Sequence, residues 1–307
     1  MLTSKIGFSI TVVGSPLLFQ TIGLIGKFGD TGVQREVDAV YGHLRALGRK
    51  VLVSGQTAET LRGFEDCAVG YRGLSEDCDL VIVIGGDGTL LHAARLLDDV
   101  NVPILGINLG RLGFLVDISP DEMSRRIEEV LNGAYETENR FLIVAEHRRA
   151  GERLASGTAL NDVVLHKRDA ARMVSFETYV DGRLMNHHRS DGLIVATPTG
   201  STAYALSGGG PLIVPDLKVL ELVPICPHTL SDRPIVISAD SEVVLRLPKD
   251  QQAQVTWDGQ ELLYIEDGDE IHIRRHPIPL RLLHPVDYDY YEILRAKLGW
   301  AGAYPRR

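Results

Sequence analysis

Cysteine is scarce in this chain of 307 residues, and Cys67, Cys78 and Cys226 stand far apart. An odd number with no C-x-x-C pair supports neither a disulfide framework nor a zinc site. A reducing, cytoplasmic setting fits best. Basic excess is also missing: net charge is −9. Nucleic-acid binders carry a basic face, so nucleic acid is not an expected partner, while small molecules and other copies of the chain are. No run reaches the roughly 18 apolar residues of a membrane-spanning helix, so no membrane partner is expected either. Two nucleotide-binding patterns are lacking, G-x-x-x-x-G-K-[ST] and a well-placed G-x-G-x-x-G.

What is present is ordinary globular composition, 44% apolar and 24% charged. The length suggests about two domains. Near the N-terminus Lys5 precedes an apolar stretch, residues 6–19, broken by Gly14 and Pro16. No clear small-x-small cleavage site follows, so residues 1–20 read as a non-cleaved extension rather than a signal peptide.

From residue 21 onward, strands and helices alternate. Residues 22–25 form a short apolar strand. Residues 34–47 have helical spacing, with Val37, Val40, Leu44 and Leu47 on one face and Gly48 as the stop. Strands follow at 51–53, 80–84 and 104–107, and helices at 89–97 and 119–131. The run Leu80-Val81-Ile82-Val83-Ile84 is apolar throughout, as in a parallel strand covered on both faces. This alternation predicts an open α/β sheet. After about residue 140 short strands succeed one another, at 141–145, 159–165, 174–180, 241–247, 254–257 and 270–274. Asp181-Gly182 and Asp258-Gly259 supply turns. The second half is therefore predicted to be a layered, sandwich-like β domain, with a final helix at 290–298 returning to the first.

Two stretches carry chemistry. Gly85-Gly86-Asp87-Gly88-Thr89 follows the buried strand and opens a helix. Ligands of open α/β sheets bind at carboxyl ends of strands, and glycines with a helix N-terminus suit phosphate. Asp87 is repulsive beside a polyphosphate unless it holds Mg²⁺ or accepts a proton from an attacking hydroxyl, and either task belongs to phosphoryl transfer. The plain structural reading is a tight turn with Asp87 as a helix cap. About a hundred residues downstream lies Ser190-Asp191-Gly192-Leu193-Ile194-Val195-Ala196-Thr197-Pro198-Thr199-Gly200-Ser201-Thr202-Ala203-Tyr204, continuing through Ala205-Leu206-Ser207-Gly208-Gly209-Gly210-Pro211. A strand leads into a loop dense in hydroxyls and glycines, with Tyr204 placed to stack on or wall off a base.

These residues resemble a known family. Gly85–Thr89 is similar to the G-G-D-G-T motif shared by NAD kinases, diacylglycerol and sphingosine kinases and, more distantly, phosphofructokinases. Thr197-Pro198-Thr199-Gly200-Ser201-Thr202-Ala203-Tyr204 resembles the longer signature specific to NAD kinases of bacterial type. Asn161-Asp162 looks like the family's Asn-Glu pair, with Asp one methylene shorter than the usual Glu. Leu109-Gly110-Arg111-Leu112-Gly113-Phe114-Leu115 matches a family loop, as do Pro227-His228-Thr229-Leu230-Ser231 with Arg233-Pro234, and Asp258-Gly259-Gln260.

The resemblance implies an open parallel α/β (Rossmann-like) domain, residues 21–139 plus 285–307, holding ATP, and a β-rich domain, residues 140–284, holding NAD, with the dinucleotide between them. It implies ATP-dependent phosphorylation of the adenosine-ribose 2′-hydroxyl of NAD to give NADP, with Asp87 as general base and Mg²⁺ carried with ATP. Gly85, Gly86, Gly88 and Thr89 are the expected phosphate contacts. Asp87, Gly88, His92, Phe114, Asn161, Asp162, Arg172, Arg189, Asp191, Thr202, Ala203, Tyr204, Ala205, Leu206, Ser207 and Gln260 are the expected NAD contacts, and no protein-held metal is expected. Arg189 and Asp191 would lie near the nicotinamide end, partly from a neighbouring subunit of a homodimer or homotetramer. A lipid kinase and a non-enzymatic dinucleotide sensor are the competing readings. Thr197–Tyr204 speaks against the first and the intact Asp87 against the second.

Overall fold

A computed structural model describes residues 19–98, 101–169, 171–229 and 231–300. The N-terminal extension, up to residue 18, and Leu230 lie outside the described residues. In chain order the elements are β1 (Thr21–Gly26), α1 (Gln34–Ala46), β2 (Lys50–Ser54), α2 (Gly55–Thr60), β3 (Ala68–Val69), α3 (Tyr71–Asp77), β4 (Leu80–Ile84), α4 (Asp87–Leu96), β5 (Ile104–Ile107), α5 (Met123–Leu131) and β6 (Glu136–Arg140). There follow β7 (Ile143–Arg149), β8 (Glu152–Ala159), β9 (Asp162–Lys167), β10 (Val174–Val180), β11 (Arg183–Ser190), β12 (Gly192–Ala196) and α6 (Tyr204–Ser207). The chain continues through β13 (Val219–Ile225), β14 (Ile235–Ser238), β15 (Val243–Arg246), β16 (Ala253–Trp257), β17 (Glu261–Ile265), β18 (Asp269–Arg275), β19 (Leu280–His284) and α7 (Tyr290–Leu298). It divides into two compact units: residues 1–93, 100–139 and 281–307, and residues 94–99 and 140–280.

The first unit is built on one sheet in the order β3-β2-β1-β4-β5-β19-β6. The β1–β2, β2–β3, β1–β4, β4–β5 and β5–β19 pairs are parallel. All five residues of β4 are buried, as expected of a strand covered on both faces. α1 lays Val37, Val40 and Leu44 onto Ile22, Leu24 and Val53 of the sheet. From β1 the chain moves first to β2 on one side and later to β4 on the other. That reversal makes the carboxyl ends of β1 and β4 the topological switch point, where sheets of this kind bind ligands.

Some boundaries differ from expectation. α4 begins at Asp87 rather than 89, so the carboxylate belongs to the helix's first turn. α5 begins at Met123 rather than 119, because Glu122 and Met123 donate to the carbonyls of Ser119 and Pro120 in a preceding turn. The chain returns to this unit one strand early, since β19 pairs with β5 and residues 281–284 belong here. His284, at the end of β19, is buried. Its Nδ1 lies 3.0 Å from Asp117 Oδ2, its Nε2 3.2 Å from Glu138 Oε2, and its ring stacks on Tyr288 at 3.9 Å. α7 is capped by Asp289, whose side chain accepts from Tyr291 N, and ends at Gly299 with φ +69°. Lys297 on α7 donates to Leu112 O at 3.0 Å and lies 5.3 Å from the Phe114 ring centroid.

The second unit contains two six-stranded sheets, β11-β10-β15-β18-β7-β8 and β14-β13-β12-β9-β16-β17. Their facing sides share one core. Phe176, Leu245 and Ile271 come from the first sheet, and Leu165, Val195, Leu222 and Val255 from the second. The sandwich expectation is met. Both Asp-Gly turns have positive φ at both residues, +50° and +73° at 181–182, which close the two-residue hairpin between Val180 and Arg183, and +51° and +63° at 258–259, in the longer loop between Trp257 and Glu261. The expected strand at 159–165 resolves into the end of β8, a turn at Leu160-Asn161, and β9. Among the described residues, no helix is long and apolar enough to cross a membrane.

Candidate active site

In the first unit, β4 ends at Ile84 and Gly85 turns the chain into α4. A Cβ on Gly85 would stand 2.3 Å from Thr89 Oγ1, so only glycine fits under the first helical turn. Thr89 N and Leu90 N both donate to Gly86 O, at 2.9 and 3.2 Å. Gly86 and Gly88 are exposed and leave the backbone open to approach.

The loop after β5 holds the Asp87 carboxylate. Phe114 N donates to Oδ2 at 2.9 Å and Leu115 N to Oδ1 at 3.0 Å. Gly113 makes this approach possible, since a Cβ there would stand 2.1 Å from Asp87 Oδ1. Gly113 N in turn donates to Val116 O, and Gly110, at φ +93°, donates to Asn108 Oδ1 at 2.8 Å. The loop 110–115 is thus the seat of Asp87, a role that sequence spacing did not reveal. Each carboxylate oxygen accepts one backbone N–H and retains a second lone pair for a hydroxyl proton or a cation. His92, one turn further along α4, lies against Gln56, its Nε2 3.1 Å from Oε1, and edge-on to Tyr71.

In the second unit, the signature loop is tied to the β9 end of its sheet. Thr197 Oγ1 donates to Leu160 O at 2.5 Å, and Thr197 N to Asn161 O at 2.8 Å. Ser201 Oγ donates to Pro198 O and accepts from Ile213 N, and Thr202 Oγ1 donates to Thr199 O. Thr199 Oγ1 accepts from buried Arg140. Hydroxyls at 197, 199, 201 and 202 therefore shape the loop itself. Gly200 is forced: a Cβ there would lie 2.2 Å from Asn161 O. Asp258 fixes the Asn161-Asp162 pair, accepting from the backbone N–H groups of Leu160, Asn161 and Asp162 at 3.0, 2.8 and 3.2 Å. The Asp-Gly-Gln turn thus supports the pair from behind, with Gln260 exposed beside it.

Asp162 is buried, and burial first, then the charge of Asp258, pushes its carboxyl up to about 7. α6 follows the loop and lays Ala205 on the sheet face formed by Val164, Ile194, Ala196 and Val223. Tyr204 is 40% exposed, its hydroxyl 3.3 Å from His166 Nε2. Asp191 pairs with Lys167 at 2.8 Å. Arg172 and Arg189 are exposed, the first between β9 and β10 and the second on β11. Glu221, on β13, went unread in the sequence. It stands in a run of apolar residues and is 0% exposed.

The arrangement therefore offers a seated carboxylate at a glycine turn in one unit. In the other, a tied, glycine-rich loop stands at a strand end beside the Asn161-Asp162 pair.

Comparison with known proteins agrees. The sequence pattern of the ATP-NAD kinase N-terminal domain matches residues 36–135, and that of the ATP-NAD kinase C-terminal domain matches residues 160–284. The NAD kinase of Pseudomonas entomophila is 49% identical over 284 residues, covering 92% of this chain and 96% of that protein. The NAD kinase of Chromohalobacter salexigens is 49% identical over 288 residues, covering 92% and 97%. Among solved structures, an NAD kinase from Archaeoglobus fulgidus in complex with ATP is 28% identical with a TM-score of 0.71, covering 91% of this chain and 97% of that one. A yeast NADH kinase complexed with NADH, 22% identical, shares the fold with a TM-score of 0.85, covering 94% and 90%. With both halves matched and relatives this similar over nearly their full length, the chain belongs to the ATP-NAD kinase family.

Proposed function

We propose that this protein transfers the γ-phosphoryl group of ATP to the adenosine-ribose 2′-hydroxyl of NAD, giving NADP and ADP. The observation that carries the reading is the seat of Asp87. A carboxylate is fixed by Phe114 N and Leu115 N beside a glycine turn at the sheet's switch point, in a chain whose C-terminal half carries the NAD kinase pattern. A lipid acceptor is not favoured, because the match extends through residues 160–284.

In this reading the 2′-oxygen attacks the γ-phosphorus as the bond to the β-phosphate oxygen breaks. Asp87 takes the hydroxyl proton, and ADP leaves. General-base help of this kind supplies roughly 10²–10⁴-fold, and the rest must come from positioning and charge stabilisation. Gly85, Gly86, Gly88 and Thr89 approach the ATP phosphates with backbone and the α4 N-terminus. Mg²⁺ carried with ATP would neutralise charge on those phosphates, and Asp87, with a lone pair left on each oxygen, would be the residue able to face it. Asn161, Asp162, Asp191, Tyr204 and residues 202–207 contact the dinucleotide, with Phe114, His92, Arg172, Arg189 and Gln260 as further contacts.

The test is NADP formation with ATP as donor, with NAD and diacylglycerol offered in parallel. NADP without phosphatidic acid is expected, and phosphatidic acid without NADP would overturn the assignment.

The same reading includes a homodimer or homotetramer in the cytoplasm. Edge strands support assembly: Ile235 and Val236 on β14 are 43% and 45% exposed, and Leu262 and Tyr264 on β17 are 51% and 54% exposed. Apolar edge strands invite pairing. Light scattering is expected to give at least twice the 33.7 kDa chain mass. A monomer at micromolar concentration would exclude assembly.

A further inference from the structure

Strand register sets Asp162, Ala196 and Glu221 in one row across β9, β12 and β13. Cross-strand partners share a sheet face. This is the face covered by α6, since Val223 and Ile225 on β13 pack there with Ala196 and Ala205, whereas Leu220 and Leu222 turn into the sandwich core. Ala196 offers only a methyl group, so the two acidic side chains flank a small residue across two strand spacings, roughly 9–10 Å.

Glu221 is 0% exposed, and neither carboxyl oxygen has a hydrogen-bond partner. Buried polar groups are ordinarily satisfied, and an unsatisfied one asks for an explanation. Burial first, then the charge of Asp162, pushes Glu221 up to about 7. What closes over it is backbone. A Cβ on Gly210 would lie 2.6 Å from Glu221 Oε2, and Gly208 and Gly210 donate instead to Tyr204 O and Ala205 O within the α6 turn. The carboxyl thus lies against Gly210, at the end of the stretch that continues the dinucleotide loop, with no hydrogen-bond donor on either oxygen.

We propose that Glu221 is a specificity-determining residue of the dinucleotide site. Together with Asp162, its carboxyl accepts hydrogen bonds from a donor-bearing part of the dinucleotide, an amino group or ribose hydroxyls, once the Gly208–Gly210 backbone shifts off it. The inference rests on the NAD kinase reading. Three successive glycines can make that shift without side-chain cost. Asp162 is one methylene shorter than Glu, and Glu221, on the far side of Ala196, supplies a second acceptor with a longer arm.

The experiment is steady-state NADP formation by wild type, Glu221→Leu and Glu221→Gln, with thermal unfolding of each. Removing an acceptor from a donor in a closed site costs about tenfold or more in affinity. Glu221→Leu is expected to raise the KM for NAD at least tenfold while kcat stays within about threefold. It is also expected to raise Tm by a few degrees, because an unsatisfied carboxyl gives way to an apolar side chain. Glu221→Gln keeps an acceptor oxygen and should restore most of the affinity.

Nicotinamide hypoxanthine dinucleotide, which lacks the adenine amine, separates the two donor sources. If the amine is the partner, wild type prefers NAD and Glu221→Leu loses that preference, its KM rising for NAD alone. If ribose hydroxyls are, Glu221→Leu raises KM by the same factor for both. A wild-type KM in Glu221→Leu, or a rise in KM accompanied by a fall in Tm, overturns the inference. Absence of NADP with the wild type would instead sink the functional reading beneath it.

Discussion

Asp87→Asn should lower the rate of NADP formation by roughly 10²–10⁴-fold, the range that general-base catalysis supplies. NAD binding measured by calorimetry should change no more than about threefold. The substitution is not silent in the structure. Asn can accept only one of the two backbone N–H groups now shared between Phe114 and Leu115, and its amide nitrogen would face the other. Loss of one hydrogen bond to a carboxylate is worth about 1.5–3 kcal/mol, roughly ten- to a hundredfold in an equilibrium. A rate loss beyond a hundredfold therefore measures chemistry rather than a slackened seat. Turnover within a few-fold of wild type would rule out the proton-accepting role.

The second large effect concerns stability and pH. Burial alone would lower the pKa of His284, but its hydrogen bonds to Asp117 and Glu138, and their charges, outweigh burial and raise it from 6.5 to about 9. A group whose folded pKa is raised contributes fully below its unfolded value, about 6.5, and loses that contribution as pH climbs through about 9. The difference corresponds to stabilisation on the order of 3 kcal/mol. Urea unfolding should show wild-type stability declining by that order between pH 6.5 and 9.5, with the decline smaller by about that amount in His284→Gln. His284→Gln leaves two partly buried carboxylates without their cation and should be less stable below about pH 9. Should it fail to fold, the imidazole resonances of His284 in the wild type provide the check. A midpoint near 6.5 instead of 9 would show that the two carboxylates do not hold the ring charged.

Local chemistry made much of this molecule readable. β10 and α7 fall where alternation and helical spacing put them, at Val174–Val180 and Tyr290–Leu298. The Asp-Gly turns took the positive φ values that only a few residue types tolerate cheaply. The Gly85–Thr89 turn was legible because a wholly apolar strand, a glycine pair and a helix follow one another without a gap.

What escaped was decided at long range. β8 reads Glu-Arg-Leu-Ala-Ser-Gly-Thr-Ala, with no apolar face to announce a strand, and exists because β7 pairs with it. β3 is two residues long and rests on β2 alone. Alternation in Leu280–His284 marks a strand but not which sheet it joins. Gly113 carries no local sign that a carboxylate from residue 87 will press against it. Glu221 passed without notice because nothing adjacent in sequence tells that α6 and Gly210 will cover that face.

The insertion of β19 between β5 and β6 fixes a sequence of events during synthesis. The parallel sheet cannot close until residue 284 has left the ribosome, although its first strand emerges some 250 residues earlier. Residues 140–280, by contrast, form a contiguous segment that can complete its two sheets while the earlier half still waits with β5 unpaired on one side. Domains that emerge whole fold as units, and exposed strand edges are where nascent chains go astray. A truncation before Leu280 should therefore spare the inserted β unit and leave the parallel sheet open at β5, the neighbour of the strand that leads into the Gly85–Thr89 turn.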